Sequence, residues 1–577
     1  MGLPRSSTPA KGLPNDPMFA HLVHAAANAN RDIIRDPVQN IKADYGRFLQ
    51  DILLFRHKIS SLLPTNTLDG NGMIKNNDVY ILLSAPSSYQ FLVALFAIIA
   101  AGGAAVLLPP NKPPKEITTL AKRCNALAFV FMPEHQLVVD ESIIHAKEIL
   151  RMNIVPIPIA LGDSNTCPDV CVAIDDTIEF PMERPALVQF TSGTTGSPKG
   201  VVHGRKFFYH LVEVYFGCSM REANGLQHLL GPNAVYLSYR SFHVGGGIRN
   251  AVAALLAGVC IEIYDYDVTP MAIQDRSLAD IWERLSRGDV KFFICWAAMW
   301  TQMKRYYEEV LSTLPPEQLE TYTKGVRELR LAKSDSTLLA PSVKRFWSKV
   351  LGVSIGVNYA ATETSIMLSK PRLSDELLDE RSIGVPLAGV CVKLSEGDYG
   401  EIRVKTPLLF SQYIGEPEAT RAVLDQEGYY KTGDIGHYDG KQYVIDGRVS
   451  QNFIVFNGCR VLTMEVETSL MELPYITEAY VLGVPDTVVT NRTTALIRVK
   501  EGKSTCLRTL RADLAGRLAE YQLPTLLRKL GTDENIPKTH SAKFNIREAR
   551  RLFFPQQIEG DIMSMPREVE VWELNQS

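Results

Sequence analysis

A run of small and hydroxylated residues, Thr191-Ser192-Gly193-Thr194-Thr195-Gly196-Ser197-Pro198-Lys199-Gly200, follows directly on the apolar stretch at 186–190. A strand running into such a loop offers unhindered backbone N–H groups, several hydroxyl donors and one ammonium. Polyphosphate oxygens need that set of donors. The spacing is not GxxxxGK[ST], so this is not a Walker loop. A plain surface loop would need neither the density of hydroxyls nor the closing lysine. Thr191, Ser192, Gly193, Thr194, Thr195, Gly196 and Lys199 are therefore read as a phosphate-binding loop. Cys167 and Cys171 lie close together but have no His or second Cys pair nearby, so no metal site is read there.

The loop resembles the phosphate loop of the adenylate-forming enzymes, [ST]-SG-[ST]-TG-x-PKG, at every element. That family includes acyl-CoA synthetases, 4-coumarate–CoA ligases, luciferases and the adenylation domains of peptide synthetases. Further motifs recur in order along 45–554. Asn358-Tyr359-Ala360-Ala361-Thr362-Glu363 resembles YGxTE, with Ala360 in place of the usual glycine. The resemblance implies that the Tyr359 ring lies against adenine, with Asn358 beside it. It also implies that the Thr362 hydroxyl reaches the α-phosphate and that Glu363 holds Mg²⁺. An aromatic face suits a purine, and a hard carboxylate suits magnesium. Tyr430-Lys431-Thr432-Gly433-Asp434 matches YxTGD, which implies that Asp434 accepts from the ribose hydroxyls, with Arg448 of Asp446-Gly447-Arg448 beside it. Residues 536–543, IPKTHSAK, resemble PKTxSGK, which makes Lys543 the lysine that bridges carboxylate and α-phosphate.

Charge then sets the expected mechanism. A carboxylate attacks the α-phosphorus of ATP, and both reactants are anions, so catalysis needs cations and N–H donors rather than a protein nucleophile. A thiol next attacks the mixed anhydride and AMP leaves. The family resemblance implies that a small C-terminal domain rotates between the steps. Two departures from the family pattern bear on this. Arg448-Val449-Ser450-Gln451-Asn452 replaces the charged hinge, and the following FIVFNG resembles the version of some fungal adenylating enzymes. Ser334-Asp335-Ser336-Thr337-Leu338 replaces the small SGAAPL-type segment of the adenine pocket. These changes keep open a nucleotide-binding homologue that has lost catalysis.

The acid pocket is read from Ser241-Phe242-His243-Val244-Gly245, which resembles xFHxxG. His243 stands near the position where amino-acid-activating relatives carry an aspartate, which disfavours an α-amino acid. Gly245, Gly246 and Gly247 are expected to leave volume, and Trp296 and Trp300 to offer apolar walls. A hydrophobic acyl or aryl acid is the expected substrate, and Arg240 and Arg249 keep a dicarboxylate open. About thirty residues follow Lys543, too few for a carrier domain, so the expected acceptor is CoA or, second, the phosphopantetheine thiol of a separate carrier protein.

Positioning these residues requires a large α/β body. Short apolar runs at 79–83, 128–132, 154–159, 186–190, 258–263 and 291–295 alternate with amphipathic segments, which predicts βαβ units and largely parallel sheets. The eighteen uncharged residues 91–108 are long enough to span a membrane. Gly102-Gly103 and the following Pro109-Pro110 instead predict a buried helix, a turn and a strand. Short strands from 400 to 445 predict a small β-rich subdomain, and the mixed pattern beyond 448 a mobile small α+β domain. The expected division is a flexible arm at 1–20, the adenylation domain at 21–446, the C-terminal domain at 447–555 with its hinge at 447–452, and a tail at 556–577. The 577 residues carry a net charge of −3 and show no basic stripe, which argues against nucleic acid. Nine scattered cysteines read as reduced thiols. The polar, proline-containing start is unlike a signal peptide and the last three residues are not SKL, so a cytoplasmic location is expected.

Overall fold

A computed structural model describes residues 12–28, 31–110, 112–161, 172–191, 198–217, 230–231, 233–264, 275–335, 339, 341–369, 381–448, 453–457, 459–486, 488–538, 544–555 and 565–574. Two large sheets form the body. The first has seven strands among the described residues, of which Pro185–Phe190, Ala104–Leu108, Tyr80–Ser84, Ala128–Phe131 and the edge strand Val155–Pro158 are successive parallel neighbours. In the second, Leu331–Asp335, Val290–Trp296, Val235–Ser238 and Cys260–Ile263 are likewise parallel neighbours. The expected βαβ texture is what folds.

The stretch 91–108 shows why it stays in the interior. Ser88 caps the helix Tyr89–Ala100 by accepting from the Phe91 N–H. Gly102 ends it at φ 88°, a left-handed position where a Cβ would meet the Phe180 ring at 2.7 Å. The chain then enters the strand Ala104–Leu108. The helix is apolar all round because it is buried all round, in one core with the helix Gly245–Leu256 and the inward faces of both sheets. Each large side chain buried there contributes roughly 1.5–3 kcal/mol. Along Tyr80–Ser84 the strand period of two sends Ile81 and Leu83 into that core, and Tyr80 and Leu82 into a second one on the other face. No helix among the described residues is long and apolar enough to cross a membrane.

The β-rich subdomain is present but not detached. Cys391–Glu396, Tyr399–Lys405, Tyr430–Tyr438 and Tyr443–Arg448 extend the second sheet as antiparallel strands, joined to it through Ser382–Pro386. The C-terminal domain carries its own sheet, built around Ile476–Asp486 and Thr490–Val499, with the helices Thr463–Met471, Leu507–Leu514 and Ile546–Phe553. It meets the body through partly exposed ion pairs. Arg381, paired with Asp446 within the body, also lies 3.3 Å from Glu465 of the C-terminal domain, and Arg345 donates to Glu472 at 2.8 Å.

Two expected boundaries are corrected. The arm does not run to residue 20: Leu13–Pro14 pairs with Ile174–Asp175, the helix Pro17–Asn28 follows, and Leu13, Met18 and Phe19 are fully buried. Buried Asp16 locks the segment by accepting from Arg205 at 2.7 Å. Nor is the end a free tail. Val569–Val571 adds an antiparallel strand to Leu526–Lys529, Arg492 donates to the Trp572 carbonyl at 2.7 Å, and Arg511 lies over the Trp572 ring. The proline-rich start and the acidic end hid these segments because their partners are far away in sequence.

Candidate active site

Strand ends supply the site. The strand Pro185–Phe190 leads into the loop expected to bind phosphate, and the antiparallel strand Gly200–Gly204 leaves it, so the flanking elements are two strands where a Walker loop has a strand and a helix. The neck of the loop is closed by the Thr191 N–H donating to the Lys199 carbonyl at 2.9 Å. Ser192, Gly193, Thr194, Thr195 and Gly196 lie outside the described residues, as do Gln451 at the hinge and Lys543. The stem of the Lys543 loop is described: Lys538 bridges to Phe544, and Phe544 packs its ring 4.7 Å from Tyr480.

The segment Asn358 to Glu363 runs along the end of the strand Gly356–Ala361 and is held from four separate parts of the chain. Asn358 accepts from the Ser369 hydroxyl at 3.1 Å, and Ser369 accepts from the Lys333 ammonium at 2.7 Å. Burial brings the Lys333 amine down to about 8. The Tyr359 hydroxyl donates to Asp434 at 2.5 Å. The Thr362 carbonyl meets His203 Nε2 at 2.9 Å. His203 is buried, and burial pushes its imidazole down to about 4, so the neutral ring donates through Nε2. Glu363 accepts from the Tyr413 hydroxyl at 2.7 Å, and the Lys199 ammonium lies 4.8 Å from the centre of the Tyr413 ring. Burial and the Glu363 charge push the Tyr413 phenol well up, so it stays a donor. Asp434 stands in register with Arg448 across the last two strands of the subdomain, and its own N–H donates to Thr432 at 3.0 Å.

Thus Lys199, Asn358, Tyr359, Thr362, Glu363, Asp434 and the backbone of Arg448 converge, although they are spread over about 250 residues. Tyr413, His203, Lys333 and Ser369 were not read from the sequence. Each acts through a partner distant in the chain, and no spacing signals that.

The acid side differs more from expectation. Half-buried His243 and Gly245 precede and open the helix Gly245–Leu256, and Trp296 ends the strand Val290–Trp296. The volume expected over Gly246 is already filled: a Cβ there would lie 2.4 Å from Arg240 Nη1, and one on Gly247 2.1 Å from the Ser241 carbonyl. The Arg240 guanidinium lies 5.5 Å from the Trp296 ring centre. It also donates to Asp335 at 2.8 Å, and Arg249 reaches the same oxygen at 3.4 Å. All three charged groups are buried. Asp335 therefore neutralises arginines, where the sequence placed it against adenine. Trp300 is not a pocket wall. It is fully buried, packs edge-on to Trp347 at 4.7 Å and donates to the Lys333 carbonyl at 3.1 Å.

With the geometry in place, known proteins identify the class. Residues 66–414 match the AMP-binding enzyme family and residues 465–543 its C-terminal domain. The chain is 30% identical over 549 residues to acyl-CoA ligase oryP of Aspergillus oryzae, covering 94% of this chain and 93% of that one. It is 28% identical over 509 residues to a malonate–CoA ligase of Arabidopsis thaliana, covering 84% and 80%. Among solved structures, ATP-bound MatB from Rhodopseudomonas palustris has the same fold, with a TM-score of 0.73 at 20% identity over 93% of this chain and 98% of that one. The anthranilate CoA ligase AuaEII in complex with anthranoyl-AMP matches at 0.73 and 18% identity, covering 93% and 97%. The chain belongs to the AMP-binding enzyme family. It is an acid–thiol ligase of the AMP-forming, acyl-CoA synthetase type, which uses ATP and CoA. A separate carrier protein finds no support among these relatives.

Proposed function

We propose that this ligase activates a carboxylic acid bearing a second acidic group and transfers the acyl group to CoA. The nucleotide half of the reading rests on one observation: a single segment, Asn358 to Glu363, is touched at four points by Ser369, Asp434, His203 and Tyr413. Thr191 to Gly196 and Lys199 take the phosphates, Tyr359 the adenine, and Asp434 with Arg448 the ribose. Thr362 and Lys543 serve the α-phosphate, where the carboxylate oxygen attacks and pyrophosphate leaves. The thiol of CoA then attacks the acyl carbon, its proton passes to solvent, and AMP leaves.

Magnesium fits the donors present. One Glu363 oxygen is hydrogen-bonded, and no further hydrogen bond among the described residues reaches that carboxylate. No cluster of three His, Cys, Asp or Glu competes for a metal among those residues. Mg²⁺ held by one or two carboxylates plus phosphates is its usual protein coordination. When bound, it neutralises phosphate charge; Glu363 holds it there.

For the acid, the carrying observation is Arg240, sandwiched between Trp296 and Gly246. Among the described residues two guanidiniums share the single Asp335 carboxylate, which leaves one buried positive charge, and a buried charge requires a counter-ion. An anionic substrate tail supplies it, and relatives include malonate–CoA ligases. The second reading, a hydrophobic acyl or aryl acid with His243 beside it, is favoured by the half-buried Trp296 packed 5.3 Å from the Tyr239 ring. A panel of mono- and dicarboxylic acids with ATP, Mg²⁺ and CoA, read by mass for acyl-AMP and acyl-CoA, decides between them. Turnover of short dicarboxylates that falls about tenfold or more in Arg240→Met supports the first reading. Turnover of aryl or fatty acids alone sinks it.

The two half-reactions call for different placements of the C-terminal domain, in location the cytoplasm and in context a specialised-metabolite route. Partly exposed ion pairs such as Arg345–Glu472 stabilise by about 1 kcal/mol at most, so re-docking costs little.

A further inference from the structure

Tyr413 belongs to the strand Gln412–Tyr413, which pairs with the strand that leaves the phosphate loop, Val201 opposite Tyr413. Its backbone N–H is anchored on the Thr420 hydroxyl at 2.9 Å. From that fixed base the side chain touches two assigned groups at once. The hydroxyl donates to Glu363 Oε1 at 2.7 Å, while the ring face carries the Lys199 ammonium 4.8 Å from its centre. Lys199 has no carboxylate partner among the described residues, so its charge is not spent on the protein.

Each contact has a physical consequence. An O–H donated to a carboxylate is a strong, short hydrogen bond that fixes the plane of the acceptor. It fixes which Glu363 oxygen remains for a cation, the role that hydrogen-bonding partners play around metal-ligating carboxylates. An aromatic face attracts an ammonium without neutralising it, so Lys199 is held in place yet keeps its full charge for phosphate. A carboxylate in the position of the ring would quench that lysine. An aliphatic side chain would leave it unsupported and leave Glu363 without a donor.

We infer that Tyr413 is a positioning residue that brackets the metal carboxylate and the phosphate lysine, holding Glu363 and Lys199 in a fixed relation to each other. The inference rests on the roles proposed above for Glu363 and Lys199. Tyr413→Phe removes the hydroxyl and keeps the ring, and Tyr413→Leu removes both.

The test measures Mn²⁺ binding to the protein–ATP complex by electron paramagnetic resonance, together with the Mg²⁺ and ATP dependence of acid-dependent pyrophosphate release, with circular dichroism to confirm folding. Tyr413→Phe is expected to weaken Mn²⁺ binding and raise half-saturating Mg²⁺ about five- to tenfold, with kcat at saturating Mg²⁺ within about twofold of the parent. Tyr413→Leu is expected to raise the KM for ATP about threefold or more besides, through Lys199. Parent-like Mn²⁺ binding in a folded Tyr413→Phe overturns the bracket. Glu363→Gln separates the layers. If it weakens Mn²⁺ binding while Tyr413→Phe does not, only the bracket fails; if it leaves Mn²⁺ binding intact, the metal role of Glu363 fails and the bracket with it.

Discussion

The nucleotide edge and the acid pocket sit on neighbouring strand ends, yet they handle charge in opposite ways. At the proposed nucleotide edge two charged groups keep capacity for a ligand: among the described residues Glu363 bonds to Tyr413 through one oxygen, and Lys199 rests on a ring rather than on a carboxylate. In the acid pocket Arg240, Arg249 and Asp335 are buried and paired chiefly with one another. A site that takes a large polyanion leaves such partly exposed charges unneutralised until the ligand arrives. A closed pocket cannot leave bare charge in low dielectric, so Asp335 offsets part of its positive charge and, on the reading proposed above, the substrate offsets the rest. Substitutions should therefore cost activity in one region and stability in the other.

The sharpest way to break that contrast is Asp335→Ala, which strands two buried guanidiniums. The body is expected to lose about 3–5 kcal/mol, seen as a lowered denaturation midpoint. A parent-like midpoint would mean the cluster is hydrated. Next comes Lys543→Ala, expected to cut ATP–pyrophosphate exchange by about 10²–10³ while transfer from supplied acyl-AMP to CoA persists and the melting temperature stays put. A comparable loss in both steps would take Lys543 out of adenylation.

His203 holds the Thr362 carbonyl, and its pH behaviour carries a sign. Its folded value is about 4, below the ordinary 6.5, because of burial first and the Arg249 charge among the lesser causes. Between those values the unfolded chain binds a proton that the folded chain does not, so stability falls as pH drops from 6.5 towards 4 and levels off below. The full effect is about 3 kcal/mol, and His203→Phe should lose that part of the slope in melts taken across this range. Smaller again, Asp434→Asn is expected to raise the KM for ATP about tenfold, or about 1.4 kcal/mol, with stability little changed. Smallest is Arg345→Ala, worth about 1 kcal/mol or less. It should alter the ratio of the two half-reaction rates and leave substrate affinities alone.

Legibility followed the same divide. The helix–turn–strand at 91–108 could be read because Gly102, Ser88 and the apolar run are local signals. That Glu363 and Lys199 meet around one side chain, and that Asp434 meets Tyr359, was expected because they sit in contiguous motifs of suggestive residue types; the phosphate, ribose and metal roles remain proposals. The packed segments at 12–20 and 565–572 could not be read, since a two- or three-residue strand has meaning only beside its partner. Gly246 was misread as open space because the guanidinium that fills it comes from a different turn of the chain.

The residues alone determined the family and the groups on offer: a hydroxyl-rich loop sequence, an aromatic face and two carboxylates in family motifs, all within an α/β chain. Those properties belong to side-chain type and short-range spacing. Only the tertiary structure decided which groups stay available, by bringing Tyr413 to Glu363 and Lys199 and by turning Asp335 onto Arg240. Hydrogen bonds act over about 3 Å and the lysine–ring contact over 4.8 Å, and such proximity between residues far apart in the chain exists only after the sheets have formed.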